Sequence, residues 1–480
     1  NIPTIIMKAN KVNKKKFLIF LSVNIYILIT VYVIIQGNLV TKLDSTLVGR
    51  LAETVTRPSI ALNSKEQDTL KPATKEVSPS IELDEKDTNK EICGRTDIIR
   101  NDMSYAELPI YYPPPLPPDV INNKNSTSSV FRIAQNPLYG EHRCDKNVVI
   151  TFAHGYQLPE LIHFTTSLWK TGYDGDLVIG LGTNLTQETR SYLEYQAKNQ
   201  PGLVVYEIPL LCQRKNSCQL MNLLEQTNTT KIKMSTIWTP VLDDRPFRRV
   251  SVVRYEYYWA WINRYNSESL IFLTDARDVY FQRDPMLRLS KTPFGNNGTF
   301  LMFFQEDSKI RESRANSKWI EKTYSSKVKK EMEEKMVICS GTTLGSQPAI
   351  EIYARAIVHE FDRTKCLRCA NKHDQCFHNY LIHQNRLVGA NGGGISNVMV
   401  HAQGEGGIVN TVGLVSKNHG GKSLQELGLV NAETREILDN DRKTVSAVVH
   451  MYDRDVLMKD WVDLQTQNEL VGLQNQQLQH

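Results

Sequence analysis

The segment Leu273–Pro285 reads LTDARDVYFQRDP and points to both the fold and a site. It begins at the end of an apolar run, Ser269–Leu273, that is typical of a buried β-strand. Two carboxylates, Asp275 and Asp278, follow this strand directly. Open α/β sheets bind ligands beyond the carboxyl ends of their strands, and paired carboxylates suit Mg²⁺ or Mn²⁺ carrying a diphosphate. The segment therefore predicts a divalent-metal site at a strand end.

Strand-like and helix-like patterns alternate from residue 147 onward. Short apolar runs predict strands at 148–153, 176–181, 203–208, 269–274, 300–305 and 445–450. Helical periodicity predicts helices at 161–169, 186–198, 250–265, 348–361 and 373–384. Such alternation is typical of an α/β fold with a mostly parallel sheet. We expect this domain to span residues 144–465, with an irregular insertion at 212–234 and a Gln-rich tail, disordered or a frayed helix, at 466–480.

The N-terminal part has a different composition. Residues 17–35 form a run of 19 without charge, close to the ~20 apolar residues that span a bilayer. Five lysines precede the run, and the positive-inside rule keeps them cytoplasmic. We therefore expect a cytoplasmic tail at 1–16, a transmembrane anchor at 17–36 and a disordered stem at 37–143. A signal peptide is the alternative, but residues 36–38, Gln-Gly-Asn, make a poor cleavage site.

This organisation predicts a single-pass type II protein of the Golgi or ER membrane, held there by its anchor, with the α/β domain in the lumen. Met7 is a plausible true start of the chain. The eight cysteines agree with an oxidising compartment, where an even number favours disulfides. We expect Cys212–Cys218 first among the pairs. Four sequons follow the predicted anchor, at Asn125, Asn184, Asn228 and Asn297.

A zinc site is the alternative use of some cysteines. Cys366 and Cys369 form a CxxC element, and His373 lies close by. The spacing between Cys369 and His373 is too short for a zinc finger, and the sequence contains no second CxxC. We therefore favour disulfides here.

Two longer motifs give the chain a family resemblance. Residues 274–285 match the pattern TDxRDVxFQxDP, and residues 449–454 match VHxYDR. With Ser340-Gly341-Thr342 and Asp374-Gln375 between them, residues 145–460 resemble the GT-A glycosyltransferases, which are nucleotide-diphospho-sugar transferases. The resemblance implies a GT-A, Rossmann-like fold with a mixed, mostly parallel sheet flanked by helices. It also implies a hexosyl- or pentosyltransferase that uses Mn²⁺ (or Mg²⁺) and a nucleotide-sugar donor.

The resemblance implies metal ligands, with one departure. The family's usual element is Asp-x-Asp with Asp-Pro six residues later, and counting back from Asp284 places its second Asp at Asp278. The first Asp then falls on Ala276, so Asp275 is a displaced ligand or a supporting acid. His450 resembles the C-terminal histidine that completes the metal shell in related retaining enzymes; a hydrogen-bonded core histidine is the alternative. A divalent ion would neutralise the charge that grows on the diphosphate leaving group.

The same resemblance implies donor contacts. Thr151, His154 and Gly155 are expected beside the base and ribose, and Asp275 is a further candidate for the ribose. Arg277 is expected to reach the diphosphate, although an Arg between two Asp residues is as often part of a surface ion pair.

Four further residues are implied at the sugar. Ser340 and Gly341 form a small-residue segment that lets the backbone approach the donor; an ordinary tight turn is the alternative. Asp374 and Gln375 are the predicted catalytic residues, facing the acceptor or the transferred sugar. The alternative for Asp374 is an acid favoured by a helix N-terminus.

The sequence thus predicts a glycosyltransferase that moves a sugar from a nucleotide sugar to a lumenal glycan or glycoprotein. Inversion needs a general base, for which Asp374 or Asp307 could serve, and the late histidine slightly favours retention. The rival interpretation is a catalytically inactive GT-A-like binding or scaffold protein, which the departure at Ala276 keeps open. The formal charge of +5 is small and the basic residues are mixed with acids, so we expect no nucleic-acid partner.

The glycine-rich segments at 391–394 and 404–407 match neither a P-loop nor a dinucleotide fingerprint. We interpret them as loops over the site or as simple turns.

Overall fold

The structure, a computed structural model, describes residues 137–213, 217–230, 233–242, 247–289, 298–364, 374–388 and 395–477. These residues belong to one unit of the chain, Lys86–His480. The predicted tail, anchor and most of the stem lie outside the described residues. So do Cys366, Cys369 and His373, and the glycine-rich segment 391–394.

The predicted localisation is wrong. We expected a single-pass type II protein of the Golgi or ER membrane. Within the part of the chain that the structure describes, no helix is long and apolar enough to cross a bilayer. The helix Val456–Gln477 has the length, but it carries Lys459, Asp460, Asp463 and Glu469. The predicted anchor, residues 17–36, lies outside the described residues.

The described residues form fourteen β-strands, numbered here in chain order. They are β1 (Val148–Phe152), β2 (Asp176–Gly182), β3 (Leu203–Ile208), β4 (Leu210–Gln213), β5 (Ser217–Thr230), β6 (Lys233–Leu242), β7 (Arg248–Arg249), β8 (Leu270–Thr274), β9 (Val279–Phe281), β10 (Phe300–Lys309), β11 (Met336–Ser346), β12 (Asn397–His401), β13 (Val409–Thr411) and β14 (Val448–His450).

Nine α-helices accompany the strands in the described ranges. They are α1 (Leu158–Lys170), α2 (Gln187–Asn199), α3 (Val250–Ile262), α4 (Arg314–Thr323), α5 (Ser326–Met332), α6 (Gln347–Thr364), α7 (Gln375–His383), α8 (Val415–Asn418) and α9 (Val456–Gln477). The Gln-rich segment after Trp461 continues α9 as far as Gln477.

A seven-stranded sheet with the order β12-β10-β11-β8-β1-β2-β3 forms the centre of the fold. The pairs β1–β2, β1–β8, β2–β3 and β10–β12 are parallel. Strand β11 is antiparallel to both of its neighbours, β8 and β10. The predicted mixed, mostly parallel sheet flanked by helices is therefore confirmed.

Helices cover both faces of this sheet, as its sequence requires. Every residue of β1, VVITF, is buried, which is typical of strands in a parallel sheet covered on both sides. Successive side chains point to opposite faces. Val148 and Ile150 join the core that includes α3 and α6, whereas Val149 joins the core that includes α1.

Two smaller sheets flank the central one. Strand β14 pairs in parallel with β13 and antiparallel with β9. Strands β4, β5 and β6 form antiparallel pairs, so the prediction of an irregular insertion at 212–234 is wrong. The disulfide Cys212–Cys218 is confirmed. It joins residues that face each other across the β4–β5 pair.

A buried polar network fastens the residues before β1 to the amino end of β2. Asp176 is fully buried and accepts hydrogen bonds from Arg143 Nε at 2.7 Å and from the Tyr265 hydroxyl at 2.9 Å. The same hydroxyl lies 2.9 Å from His142 Nδ1. When a buried acceptor loses its hydrogen-bond donor, it remains desolvated without compensation, and the folded state is destabilised.

Tyr265→Phe should therefore destabilise the protein by about 1–2 kcal/mol. The measurement is the free energy of unfolding in urea and the midpoint of thermal unfolding. Thr183→Val removes a hydroxyl from an exposed side chain and should change stability by less than about 0.5 kcal/mol. Equal effects of the two substitutions would contradict this assignment.

Candidate functional site

The segment after β8 turns sharply and brings its two acids together. The chain bends at Ala276 and turns at Arg277 and Asp278, and residues three apart across a tight turn lie close together. The Asp275 N–H donates to the Gly341 carbonyl at 2.8 Å. Ala276 is 1% exposed and belongs to the apolar core. The position where the resemblance expected the first acid therefore packs inward, and Asp275 lies near Asp278 and His450 instead.

Strand pairing brings His450 to the same place. In the antiparallel pair β9–β14, His450 lies opposite Val279, the residue after Asp278. The next residue, Met451, donates its N–H to the Asp278 carbonyl at 2.7 Å. The His450 ring then lies with Nε2 3.8 Å from Asp275 Oδ2 and 3.8 Å from Asp278 Oδ1.

These three side chains could hold a divalent cation. One ligand atom from each of Asp275, Asp278 and His450 lies within 4.8 Å of the others. Two carboxylates and an imidazole are a donor set that Mn²⁺ accepts. Gly341 lines the space between them, because a Cβ there would lie 2.5 Å from His450 Cε1 and 2.6 Å from Asp275 Oδ2. The residues present therefore fit a metal ion, and only glycine leaves the space open.

Charge interactions within this cluster shift the pKa values of His450 and Asp275. Burial disfavours the imidazolium of His450, but Cys339, Asp275 and Asp278 outweigh this effect and raise the pKa of His450 well above its ordinary value. Partial burial favours protonated Asp275, but Arg254 and His450 outweigh it and hold the pKa of Asp275 well below its usual range. At neutral pH the metal-free site thus pairs an imidazolium with carboxylates.

Arg254 joins the acids from the opposite side, and sequence reasoning missed it. It is 8% exposed and donates to Asp275, to Asp374 Oδ2 at 2.6 Å and to the Ser340 carbonyl at 3.1 Å. The predicted catalytic Asp374 is 3% exposed and held by this ion pair. The sequence did contain a signal for Arg254, because it is a basic residue within the otherwise apolar and aromatic helix α3.

Gln375 is the other predicted catalytic residue, and both polar atoms of its side-chain amide form hydrogen bonds. Its Oε1 accepts from the Ser340 hydroxyl at 3.1 Å and from the Ser340 N–H at 3.4 Å. Its Nε2 donates to Glu306 Oε1 at 2.7 Å. Burial raises the pKa of Glu306. Glu306 was also missed, although an acid just after the apolar run 300–305 repeats the pattern seen at β8.

A cleft of about 310 Å³ lies beyond the carboxyl ends of β1 and β2. His154, Gly155 and Tyr156 line one side of it. Burial lowers the pKa of His154, which favours the neutral ring. Burial, together with the charges of Asp275 and Asp278, raises the pKa of Tyr156 to about 12. Thr151 is fully buried within β1 and does not line the cleft.

Arg277 lies on the outer side of the acids. Its side chain is 53% exposed, with Nη2 3.5 Å from Asp278 Oδ2 and 3.7 Å from Asp453 Oδ2. It also lines a second, wider groove of about 480 Å³ beside α1 and α9. Asp307 lies apart from this cluster and accepts a hydrogen bond from the Asn418 side chain at 3.2 Å.

No protein-family model matches the chain, and no curated protein matches it. Several solved structures are similar to it in part. The galactosyltransferase LgtC, in complex with donor and acceptor sugar analogs, is 11% identical with a TM-score of 0.31, covering 63% of this chain and 86% of its own. The glycosyltransferase GlyE of Streptococcus pneumoniae TIGR4 is 10% identical with a TM-score of 0.31, covering 64% and 55%.

Core-mannan synthase A (CmsA/Ktr4) of Aspergillus fumigatus, in its Mn/GDP form, is 9% identical with a TM-score of 0.28, covering 58% of this chain and 78% of its own. At these values the similarity says nothing about the substrate or the mechanism of this chain. The residues of the site carry the functional argument.

Gly341→Ala should close the space between the acids and the histidine. The added Cβ would lie within 2.6 Å of both Asp275 and His450, and overpacking of this kind costs about 1–3 kcal/mol. We expect Mn²⁺ affinity, measured by calorimetry on the full chain, to fall about 10-fold or more. The matched control is Gly472→Ala on α9, where a Cβ meets nothing within 4 Å. Unchanged Mn²⁺ binding in Gly341→Ala would contradict the site.

Mn²⁺ binding should release about one proton at pH 7. The raised pKa of His450 keeps the metal-free ring protonated at this pH, and a metal ion must displace that proton. Affinity should therefore weaken as the pH falls and strengthen as it rises toward the pKa of His450. Calorimetry in two buffers with different ionisation enthalpies measures the released proton, and a binding heat that is independent of the buffer would refute the prediction.

Proposed function

We propose that this chain is a metal-dependent glycosyltransferase, which moves a sugar from a nucleotide-sugar donor to a glycan or glycoprotein acceptor. The observation that carries the proposal is the convergence of Asp275, Asp278 and His450 within 4.8 Å. The two acids lie beyond the carboxyl end of β8, and β8 pairs in parallel with β1. The cleft lined by His154 and Gly155 lies beyond the end of β1. Ligands of open α/β sheets bind at this edge.

The cleft is the proposed site of the nucleoside. Its volume of about 310 Å³ is in the range of small-molecule pockets, and Gly155 there has a φ of +86°, which favours glycine. Tyr156 also lines the cleft, and the charges of Asp275 and Asp278 act on its hydroxyl. A nucleoside in the cleft would thus direct its diphosphate toward Asp275 and Asp278, with Arg277 exposed beside Asp278.

A bound divalent ion would supply charge neutralisation to the diphosphate as it leaves. The protein's own part is to hold the ligands before the ion arrives. Arg254 fixes Asp275 from one side, and the β9–β14 pair fixes His450 from the other. Because these groups are already placed, little reorganisation is needed when charge develops on the leaving group.

The transferred sugar is proposed to lie near Asp374 and Gln375. Asp374 is bonded to Arg254 and 3% exposed, so it is not free to take a proton from an acceptor hydroxyl. Asp307 is engaged by Asn418. A general base must reach the hydroxyl that it deprotonates. These contacts favour retention over inversion in the proposed reaction. The same contacts are compatible with the transfer of either a hexosyl or a pentosyl group.

Mn²⁺-dependent hydrolysis of a panel of nucleotide sugars by the full chain is the direct test. We expect one donor to release nucleotide, and Asp278→Ala to reduce this rate about 100-fold or more, because the metal contributes several kcal/mol to the transition state. The control, Asp460→Ala, removes an exposed acid on α9 and should leave the rate unchanged.

The outcomes separate the proposal from its rival. Loss of turnover without metal and in Asp278→Ala would support the transferase. If neither turnover nor metal-dependent nucleotide binding occurs, the catalytically inactive binding or scaffold protein becomes the better interpretation. Nucleotide binding without turnover would direct the search to the acceptor.

A further inference from the structure

Strand β4 forms one side of the cleft that is proposed to hold the nucleoside. Leu210 and Cys212 line this cleft of about 310 Å³, and residues two apart in a strand point to the same face. Pro209 separates β4 from β3, and a proline has no N–H to continue the pairing of a sheet. Strand β4 therefore leaves the central sheet and must be held beside the cleft by other contacts.

Strand β4 is short and lies at the edge of its sheet. In the part of the chain that the structure describes, it pairs with β5 alone, through residues 210–213 and 217–220. Leu210 packs against the apolar core, whereas Leu211, Cys212 and Gln213 are exposed. A two-stranded pair of this length is marginally stable by itself. The position of β4 therefore depends on what ties it to the rest of the fold.

The disulfide Cys212–Cys218 ties β4 to a buried part of the fold. Cys218 is fully buried and lies opposite Arg248 of β7, which leads directly into α3. Arg248 is also fully buried and forms an ion pair with Glu256 of α3. One sulfur of the disulfide thus lines the cleft, and the other belongs to a strand anchored beside α3.

The metal ligands are held by other contacts. Arg254 of α3 and the Gly341 carbonyl of β11 hold Asp275, and the β9–β14 pair places His450. These contacts are made by α3, β11 and β14 and not by β4. A displacement of β4 should therefore change the cleft and leave the metal ligands in place.

We propose that the Cys212–Cys218 disulfide is a redox-sensitive positioning element of the cleft, which binds a nucleoside diphosphate tightly only while the disulfide is intact. This inference rests on the proposed function, because it takes the cleft as the nucleoside site. Without the disulfide, β4 keeps its backbone pairing with β5 and the packing of Leu210. It then lies in place for part of the time, and the apparent affinity of the cleft falls by that fraction.

Reduction of this disulfide is a two-electron step. A dithiol such as dithiothreitol supplies two electrons and two protons, so the Sγ–Sγ bond breaks and both cysteines become thiols, while the dithiol closes to its own disulfide. Cys212 is exposed, so a small reductant can reach the bond. Oxidised glutathione reverses the step and is itself reduced to two thiols.

Calorimetry on the full chain before and after reduction tests the proposal, with the dithiol removed under anaerobic conditions before each titration. The probes are uridine diphosphate and guanosine diphosphate, each in the presence of Mn²⁺. We expect the affinity for the diphosphate that binds to fall about 10-fold on reduction, as for a β4 that is in place about one tenth of the time. The affinity should recover after oxidation. Mn²⁺ affinity without nucleotide should change by less than about twofold.

The matched variant removes both sulfurs, as Cys212→Ala together with Cys218→Ala. Alanine at the buried position 218 avoids burying an unpaired hydroxyl. This double variant should bind the diphosphate as weakly as reduced wild type, and reduction should not weaken it further. Its insensitivity separates the Cys212–Cys218 bond from Cys144, which is also disulfide-bonded.

Two measurements distinguish a displaced β4 from a loosened fold. Amide hydrogen exchange should become faster at residues 210–213 on reduction and stay unchanged in β1, which is fully buried. Mass spectrometry after alkylation of the reduced chain confirms that Cys212 and Cys218 are thiols. Thermal unfolding midpoints of all forms exclude global unfolding at the temperature of the titrations.

The inference fails in three cases. Unchanged diphosphate affinity in reduced wild type and in the double variant would remove the role of the disulfide. An equal loss of Mn²⁺ affinity and of diphosphate affinity would show that the whole site loosens. A wild-type chain that binds neither diphosphate would refute the inference together with the nucleoside cleft. If wild type binds a diphosphate but turns over no nucleotide sugar, the proposed function fails, and the effect of reduction still decides the role of the disulfide.

Discussion

The candidate site depends on the pairing of two three-residue strands, β9 and β14. This pairing fixes His450 opposite Val279, and the Met451 N–H to the Asp278 carbonyl extends the contact by one residue. Side chains alternate between the faces of a strand, so a slip by one residue would turn His450 to the other face. Met451, with a φ of +59°, ends the pairing immediately after the histidine. The register of the β9–β14 pair therefore determines whether the His450 side chain lies close to Asp275 and Asp278.

Sequence reasoning could predict the central sheet because its strands are strongly apolar. The buried runs that became β1, β2, β3 and β8 were predicted within a residue or two of their ends. It failed at the antiparallel pair of β5 and β6, because the sequence of β5, SCQLMNLLEQTNTT, lacks a strict alternation of apolar and polar residues. The motifs that carry the resemblance led to Asp275, Asp278 and His450 as candidate metal ligands, but they did not lead to Arg254 or Glu306. Their roles depend on contacts far along the chain, Arg254 with Asp374 and Glu306 with Gln375.

The departure at Ala276 has a structural reason. In an Asp-x-Asp element the two acids are two residues apart, which suits extended backbone. Here the chain bends at Ala276 and turns at Arg277 and Asp278, so acids three residues apart converge instead. The intervening Ala276 fills the core, where a carboxylate would be buried without a partner at a cost of several kcal/mol. In this backbone, an acid at position 276 would destabilise the fold and contribute nothing to the cluster.

The cost of burying a charge without a partner also explains why the side chains around the acids form a continuous network of ion pairs. Asp275 is shared between Arg254 and His450, and Arg254 is shared in turn with Asp374. Removing one member would leave a buried charge without a partner, which is more costly than the pair is stabilising. A network of this kind resists rearrangement, and it therefore presents its oxygen and nitrogen atoms in one arrangement before any ligand arrives. Preorganised groups of this type account for much of the electrostatic stabilisation of a transition state. An arginine, two aspartates and a histidine held in this way, around a glycine that keeps the space between them open, are the features expected of a site for a cation.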